Sequence, residues 1–249
     1  MLRVVFGREL RTFLRNPSVW GLLAAIQFLV AFQWLALLEQ YQAAAPKLKR
    51  LAQAPGISEL VTQPLVMMVA LLMIFVVPVL AMQSIAGERR NGTLVLWQSA
   101  PVRLSTFVLG KWLGVLGVLA VLWSAVALMC LSLTLGSNAD WGNLASALLG
   151  LALFLMASSA VGIGCSAIAT QPLTAALGGF LVLTFLWACD WSGQWVAEPT
   201  VFTWLSLMNH LRALTHGLVD TADVAYFLWL TASALGFAIW WLDGERRGL

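Results

Sequence analysis

The side chains that could carry out chemistry are few. Ser158 and Ser159 are candidate nucleophiles, and His210 and His216 are the only histidines. A serine hydrolase needs a base within hydrogen-bond reach of its nucleophile, and these serines and histidines fall in different segments of the chain. The Gly162, Gly164, Cys165, Ser166 cluster suits close helix packing by small residues better than a nucleophile site. A metalloprotease would need a His pair on one helix face with an adjacent Glu, and the sequence holds none. Cys130, Cys165 and Cys189 are odd in number, far apart and set in apolar runs, so they read as small buried residues rather than a disulfide framework or metal site. Gly110-Lys111 lacks the earlier glycine and the following hydroxyl residue of a phosphate loop. Ser192-Gly193-Gln194 stands without the rest of a nucleotide-binding signature. No catalytic, cofactor or metal site is expected in this chain. Any ATP it depends on, with its Mg2+, must be bound by another subunit.

Two charged groupings remain. Glu88, Arg89 and Arg90 are consecutive charges between apolar stretches, so they are expected to face water or a protein. Gly92 permits a backbone turn after Asn91 that other residues resist. Thr93 is placed to cap a short helix through Leu94 and Val95, and an exposed Leu96-Trp97 pair would pack on a partner or the membrane. Read from the residues alone, a solvated turn whose arginines only set topology is the alternative. The second grouping is the first fifteen residues. On a helical wheel Leu2, Phe6, Leu10 and Phe13 share one face, and Arg8, Arg11 and Arg15 share the other. Such a helix is expected to lie in the membrane surface, its apolar face in the acyl boundary and its arginines toward lipid phosphates.

The elements that must hold these groups follow from composition. Of 249 residues, 61% are hydrophobic and only 10% charged, with a net charge of +3. That balance excludes a soluble globule, a disordered chain and a disulfide scaffold. The small, dispersed basic excess also speaks against nucleic acid as a partner. Apolar runs of about 20 residues, long enough to cross about 30 Å of hydrocarbon, place spans near 19–38, 64–83, 106–135, 145–169, 173–189 and 224–242. The apolar runs, the third counted from Trp112 to Leu135, hold no Asp, Glu, Lys, Arg or His, which argues against a proton or ion pathway. Gln171-Pro172 divides the long uncharged interval between Asp140 and Asp190, because proline disfavours helix for the residue before it. The predicted fold is an all-α integral membrane bundle of six spans forming a single domain over 1–249, with an interfacial helix over 1–17. Ten of the fourteen Lys and Arg fall on the side holding both termini, so that side is expected to be cytoplasmic.

Between Asp190 and Asp223 the chain is too apolar for water: Trp191, Trp195, Phe202, Trp204, Leu205, Met208, Leu211, Leu214 and Leu218. The Leu205, Met208, Leu211 spacing, continued by Leu214 and Leu218, predicts short helices over 190–222 dipping into the outer leaflet, punctuated by Pro199 and Gly217. His210 reads as a satisfied structural histidine, with a pH-sensitive gate as the alternative.

At this point a resemblance can be stated. The run Ile85 Ala86 Gly87 Glu88 Arg89 Arg90 Asn91 Gly92 Thr93 Leu94, then Ala100 Pro101 Val102 Arg103, then Leu109 Gly110 Lys111, resembles the membrane subunit of an ABC-2 type transporter. Leu205 Ser206 Leu207 Met208 Asn209 His210 Leu211, then Thr215 His216 Gly217 Leu218 Val219 Asp220, ending Glu245 Arg246 Arg247, is similar to its gliding-motility and copper-enzyme-maturation branch. The resemblance implies two permease copies, or one with a sister permease, and two copies of a cytoplasmic ATPase. It implies that loop 84–105 forms a coupling helix in an ATPase groove, with the N-terminal helix beside it and a second contact at Thr170-Gln171-Pro172. Re-entrant helices over 190–222, carrying Trp204, Met208, His210, Leu211, Gly217 and Asp220, would precede the last span. The expected role is a non-catalytic permease, with export as its expected direction, in a bacterial inner membrane. The alternatives are a force-transmitting subunit acting on an extracytoplasmic partner and, less favoured, an intramembrane enzyme.

Overall fold

The computed structural model describes residues 2–48, 56–99, 103–135, 140–191, 201–217 and 219–248. Among them there is no strand, and the α-helices run α1 Leu2–Arg15, α2 Pro17–Leu48, α3 Gln63–Ala81, α4 Ala86–Arg90, α5 Leu94–Ser99, α6 Leu104–Ser132, α7 Trp141–Ile168, α8 Pro172–Ala188, α9 Val201–Leu205, α10 Leu207–Thr215 and α11 Thr221–Arg247. Six helical stretches are long and apolar enough to span a membrane, at the six expected places. α2 continues beyond its expected end at residue 38 through Glu39 to Leu48. Its 32 residues make a rod of about 48 Å.

Helix ends follow local chemistry. The Asp140 and Asp220 carboxylates accept from the backbone N–H groups of Gly142 and Ala222, capping α7 and α11. The Ser206 hydroxyl accepts from Asn209 N–H and caps α10. Pro172 opens α8 after Ala169 leaves helical geometry, so the break falls where the proline predicts it.

In a bilayer, hydrocarbon is as apolar as leucine, so helices associate through close packing rather than burial from water. α7 is the most enclosed helix and α2 the least. The small residues of α7 do what their cluster predicts: a Cβ on Gly162 would lie 2.7 Å from Ala81 Cβ. Ser158 donates its hydroxyl to the Phe154 carbonyl within the same helix, and Ser159 accepts from the Trp112 indole.

The bundle has two unlike ends. One gathers α1, α4, α5, the turn at 168–172 and the C-terminal turns of α11. The other gathers Gln63, Asp190, α9, α10 and the start of α11. The apolar face of α10 is packed against protein. Leu207, Leu211 and Leu214 are fully enclosed and Met208 nearly so. Gly150 of α7 opens the space they fill: a Cβ there would meet Leu214 Cβ at 3.0 Å. Trp204 and Phe202 of α9 stay exposed. Trp195, Pro199 and Leu218, named in the same expectation, lie outside the described residues, as do Ala100-Pro101-Val102 and Ser192-Gly193-Gln194.

Candidate functional site

The charged residues of the 84–105 loop converge, with others the sequence did not single out, at the α1 end. Lys111 is seven residues inside α6 and 2% exposed. This corrects the expectation of spans free of ionisable groups. Its ammonium lies 2.8 Å from Glu9 Oε1 of α1 and 2.5 Å from Glu88 Oε1 of α4. A lysine tolerates such burial only when carboxylates replace its water. One cation thus holds three helices together. The Phe107 ring lies below it, 5.4 Å from centroid to nitrogen.

Arg89 is likewise turned inward. It forms a bidentate pair with Glu245 of α11, at 2.8 and 2.7 Å, and donates to the carbonyls of Ile168 and Ala169 at 3.0 and 2.8 Å. Those carbonyls are the unsatisfied acceptors at the end of α7, which a planar guanidinium can serve while gripping a carboxylate. Glu88 and Arg89 are therefore turned onto neighbouring helices, because each finds an opposite charge or a bare carbonyl there. Arg90 and Asn91 remain exposed. Gly92 takes φ +70° as the turn requires.

Thr93 does not cap the next helix. Its hydroxyl donates back to the Glu88 carbonyl at 3.2 Å. The cap of α4 comes instead from α7: Ser166 Oγ accepts from the N–H groups of Ile85 and Ala86, at 3.2 and 3.0 Å, and donates to the Met82 carbonyl. Leu96 is 68% exposed, whereas Trp97 is half-buried against Phe107, with the Arg8 guanidinium 5.2 Å from its ring centroid.

The first helix forms as expected but uses its inner face differently. Val5, Glu9 and Leu10 pack onto Gly110, Gly114 and Gly117 of α6, with Phe6 beside them and Phe13 against the core. A Cβ on those glycines would come within 2.6, 2.6 and 2.9 Å of Val5, Glu9 and Leu10. The apolar side of α1 sits in a glycine groove rather than in acyl chains, because only glycine lets two backbones approach so closely. Arg8, Arg11 and Arg15 keep to the outer face.

Gln171 is exposed at the start of α8. Together with Met82, Gln83, Gly87, Arg90, Asn91, Pro172 and Leu173 it lines an open cleft of about 320 Å³ between α4 and α8. The two expected contact points thus form one continuous surface.

At the opposite end His210 is buried and stacked on Tyr226 at 4.1 Å. Its Nδ1 lies 2.6 Å from Asp223 Oδ1 and its Nε2 2.8 Å from the Trp204 carbonyl. Both ring nitrogens are occupied, so the ring is not free to activate Ser158 or any other nucleophile. Gly217 closes α10 at φ +82°, and Asp220 caps α11.

The family model for ABC-2 family transporter proteins matches residues 3–242, nearly the whole chain. The chain belongs to the ABC-2 transporter family. It is a multi-pass membrane permease, a transmembrane subunit of an ABC transporter, and its family implies an ATPase partner. Among curated proteins no sequence matches this permease.

In the permease's polar cluster Glu9 was not singled out in sequence, and Lys111, Ser166 and Glu245 were named there without this role. Their partners lie between 23 and 156 residues away, so no local spacing marks them. The groove did carry a signal, the small residues recurring at 110, 114 and 117.

Proposed function

We propose that α4 is the coupling helix of this permease and that a cytoplasmic ATPase docks on the cleft between α4 and α8. The supporting observation is the immobilisation of α4. Ser166 caps it, Lys111 holds Glu88 and the α11 carboxylate holds Arg89, while Gly87, Arg90 and Asn91 are left facing the cleft beside Gln171. A helix of five residues has little stability of its own; clamped on three sides it can pass a push to α1, α6, α7 and α11. In this reading two permeases, identical or sister, meet two ATPases that bind ATP and Mg2+. ATP-driven closure rocks the pair toward export across a bacterial inner membrane. The arginine-rich end, with Arg3, Arg8, Arg11, Arg15, Arg90, Arg103, Arg246 and Arg247 exposed, would be cytoplasmic. We also carry the branch resemblance of Leu205–Asp220 into this reading.

A second reading, force transmission without cargo to an extracytoplasmic partner, draws on α11. That helix runs unbroken from Asp223 beside His210 to Glu245 on Arg89. Vectorial transport in reconstituted vesicles separates the two.

The docking reading is tested by co-purification with the ATPase in detergent. Arg90→Glu with Gln171→Ala changes only exposed side chains of the cleft. Recovery of the ATPase is expected to fall at least tenfold, about 1.4 kcal/mol or more, with the permease still folded. Undiminished recovery would move the contact off this cleft.

A further inference from the structure

The outer face of α1 gathers four arginines along one helix. Arg3, Arg8, Arg11 and Arg15 surround a shallow cleft with Gly7 and Thr12 at its floor, about 440 Å³ in volume. Arg8 is stacked on Trp97, but no ion pair or hydrogen bond of the Arg3, Arg11 or Arg15 side chains occurs among the described residues. The helix's single acid, Glu9, is turned inward onto Lys111, so the face carries positive charge alone.

Its position decides what can neutralise it. α1 ends at Arg15 and the first candidate span, α2, begins at Pro17, so α1 lies where the chain enters the apolar core. Leu14 and Val4 are exposed beside the arginines. Trp20 donates its indole N–H to the Leu14 carbonyl at 2.7 Å and leaves its ring half exposed, as an interfacial tryptophan does. Arginines at that depth extend toward the phosphate layer. An acidic protein surface would have to enter the membrane boundary to reach them.

We propose that this face is a binding site for the phosphodiester headgroups of anionic phospholipids, held by Arg3, Arg11 and Arg15 with Arg8 at the rim. Because α1 is bound to α4 through Glu9, Lys111 and Glu88, two ion pairs that share one lysine link the lipid-bearing helix to the coupling helix. The site rests on α1 lying at the membrane boundary and does not depend on where the ATPase docks, so failure of the cleft experiment leaves it standing.

The test is native mass spectrometry of the purified full chain in micelles doped with phosphatidylglycerol or phosphatidylcholine. Wild type is expected to retain phosphatidylglycerol preferentially. Arg3→Gln/Arg11→Gln/Arg15→Gln is expected to lose at least tenfold of that retention, since each basic residue near an anionic surface contributes about fivefold. The corresponding triple Lys variant keeps the charge and is expected to keep the lipid. These three side chains make no hydrogen bond or ion pair among the described residues, so thermal unfolding should match wild type. If the triple Gln variant does not fold, single Arg11→Gln and Arg15→Gln variants carry the test, each losing about fivefold. Equal phosphatidylglycerol retention by the Gln variants would overturn the site, and so would displacement of the lipid by excess inorganic phosphate. A Gln variant that keeps its lipid but loses the ATPase would reassign the face to a protein partner.

Discussion

Lys111 is held by two carboxylates from two other helices, Glu9 of α1 and Glu88 of α4, and this makes the three side chains unequal. Removing the cation leaves Glu9 and Glu88 facing each other away from water, which costs about 3–5 kcal/mol. Removing either carboxylate leaves a one-to-one pair and costs about 1 kcal/mol. Lys111→Met is therefore expected to destabilise the protein far more than Glu9→Gln or Glu88→Gln in thermal unfolding in detergent; equal losses would mean that the cluster does not act as one unit. In sequence Lys111 marks the beginning of an apolar run, and a charge there reads as the edge of a span. Its burial depends on residues 23 and 102 positions away, which no pattern within the run reveals. Glu88 and Arg89 were legible as a motif, but not their direction, because the acceptors on α7 and α11 exist only once the helices have packed.

The element that most changes on going from pattern to packing is α1. Its two faces and its length were legible from the wheel, since amphipathic spacing is local. What its apolar face meets was not, although glycines at 110, 114 and 117 already described a groove. Gly114→Val would drive a side chain into Glu9 Cβ, 2.6 Å from the added Cβ. The expected result is an undocked α1, read as faster tryptic cleavage at Arg11 and Arg15. Gly7→Ala is the matched control: nothing lies within 4 Å of its Cβ, and helix propensity favours alanine by about 1 kcal/mol. If both variants resist trypsin like wild type, the groove does not hold the helix. α10 teaches the same lesson at the other end. Its leucine repeat was visible, yet Gly150 of α7, not lipid, receives it.

For the whole molecule, the six spans were legible because hydrocarbon thickness dictates run length. The charge asymmetry was legible because most of the Lys and Arg residues fall between the apolar runs, Lys111 being drawn into α6 only by its two carboxylates. Orientation is checked by cysteine labelling with Cys130, Cys165 and Cys189 replaced. Val219→Cys, exposed near the acidic end, should label in intact cells, and Arg246→Cys only after permeabilisation. The reverse pattern would invert the topology and remove the cleft from the cytoplasm. The Arg89–Glu245 pair also imposes a schedule on biogenesis. Chains emerge N-terminus first, so Arg89 reaches the membrane long before Glu245 is translated, and the carbonyls of Ile168 and Ala169 arrive in between. The four-bond grip closes only when the last helix has been inserted. A chain truncated after Trp241 would still insert, but its α4 would lack the final clamp. Such a chain is expected to co-purify with the ATPase at least tenfold less than the full chain. The pair would then act as a completion signal, keeping the motor off a permease whose synthesis has not finished.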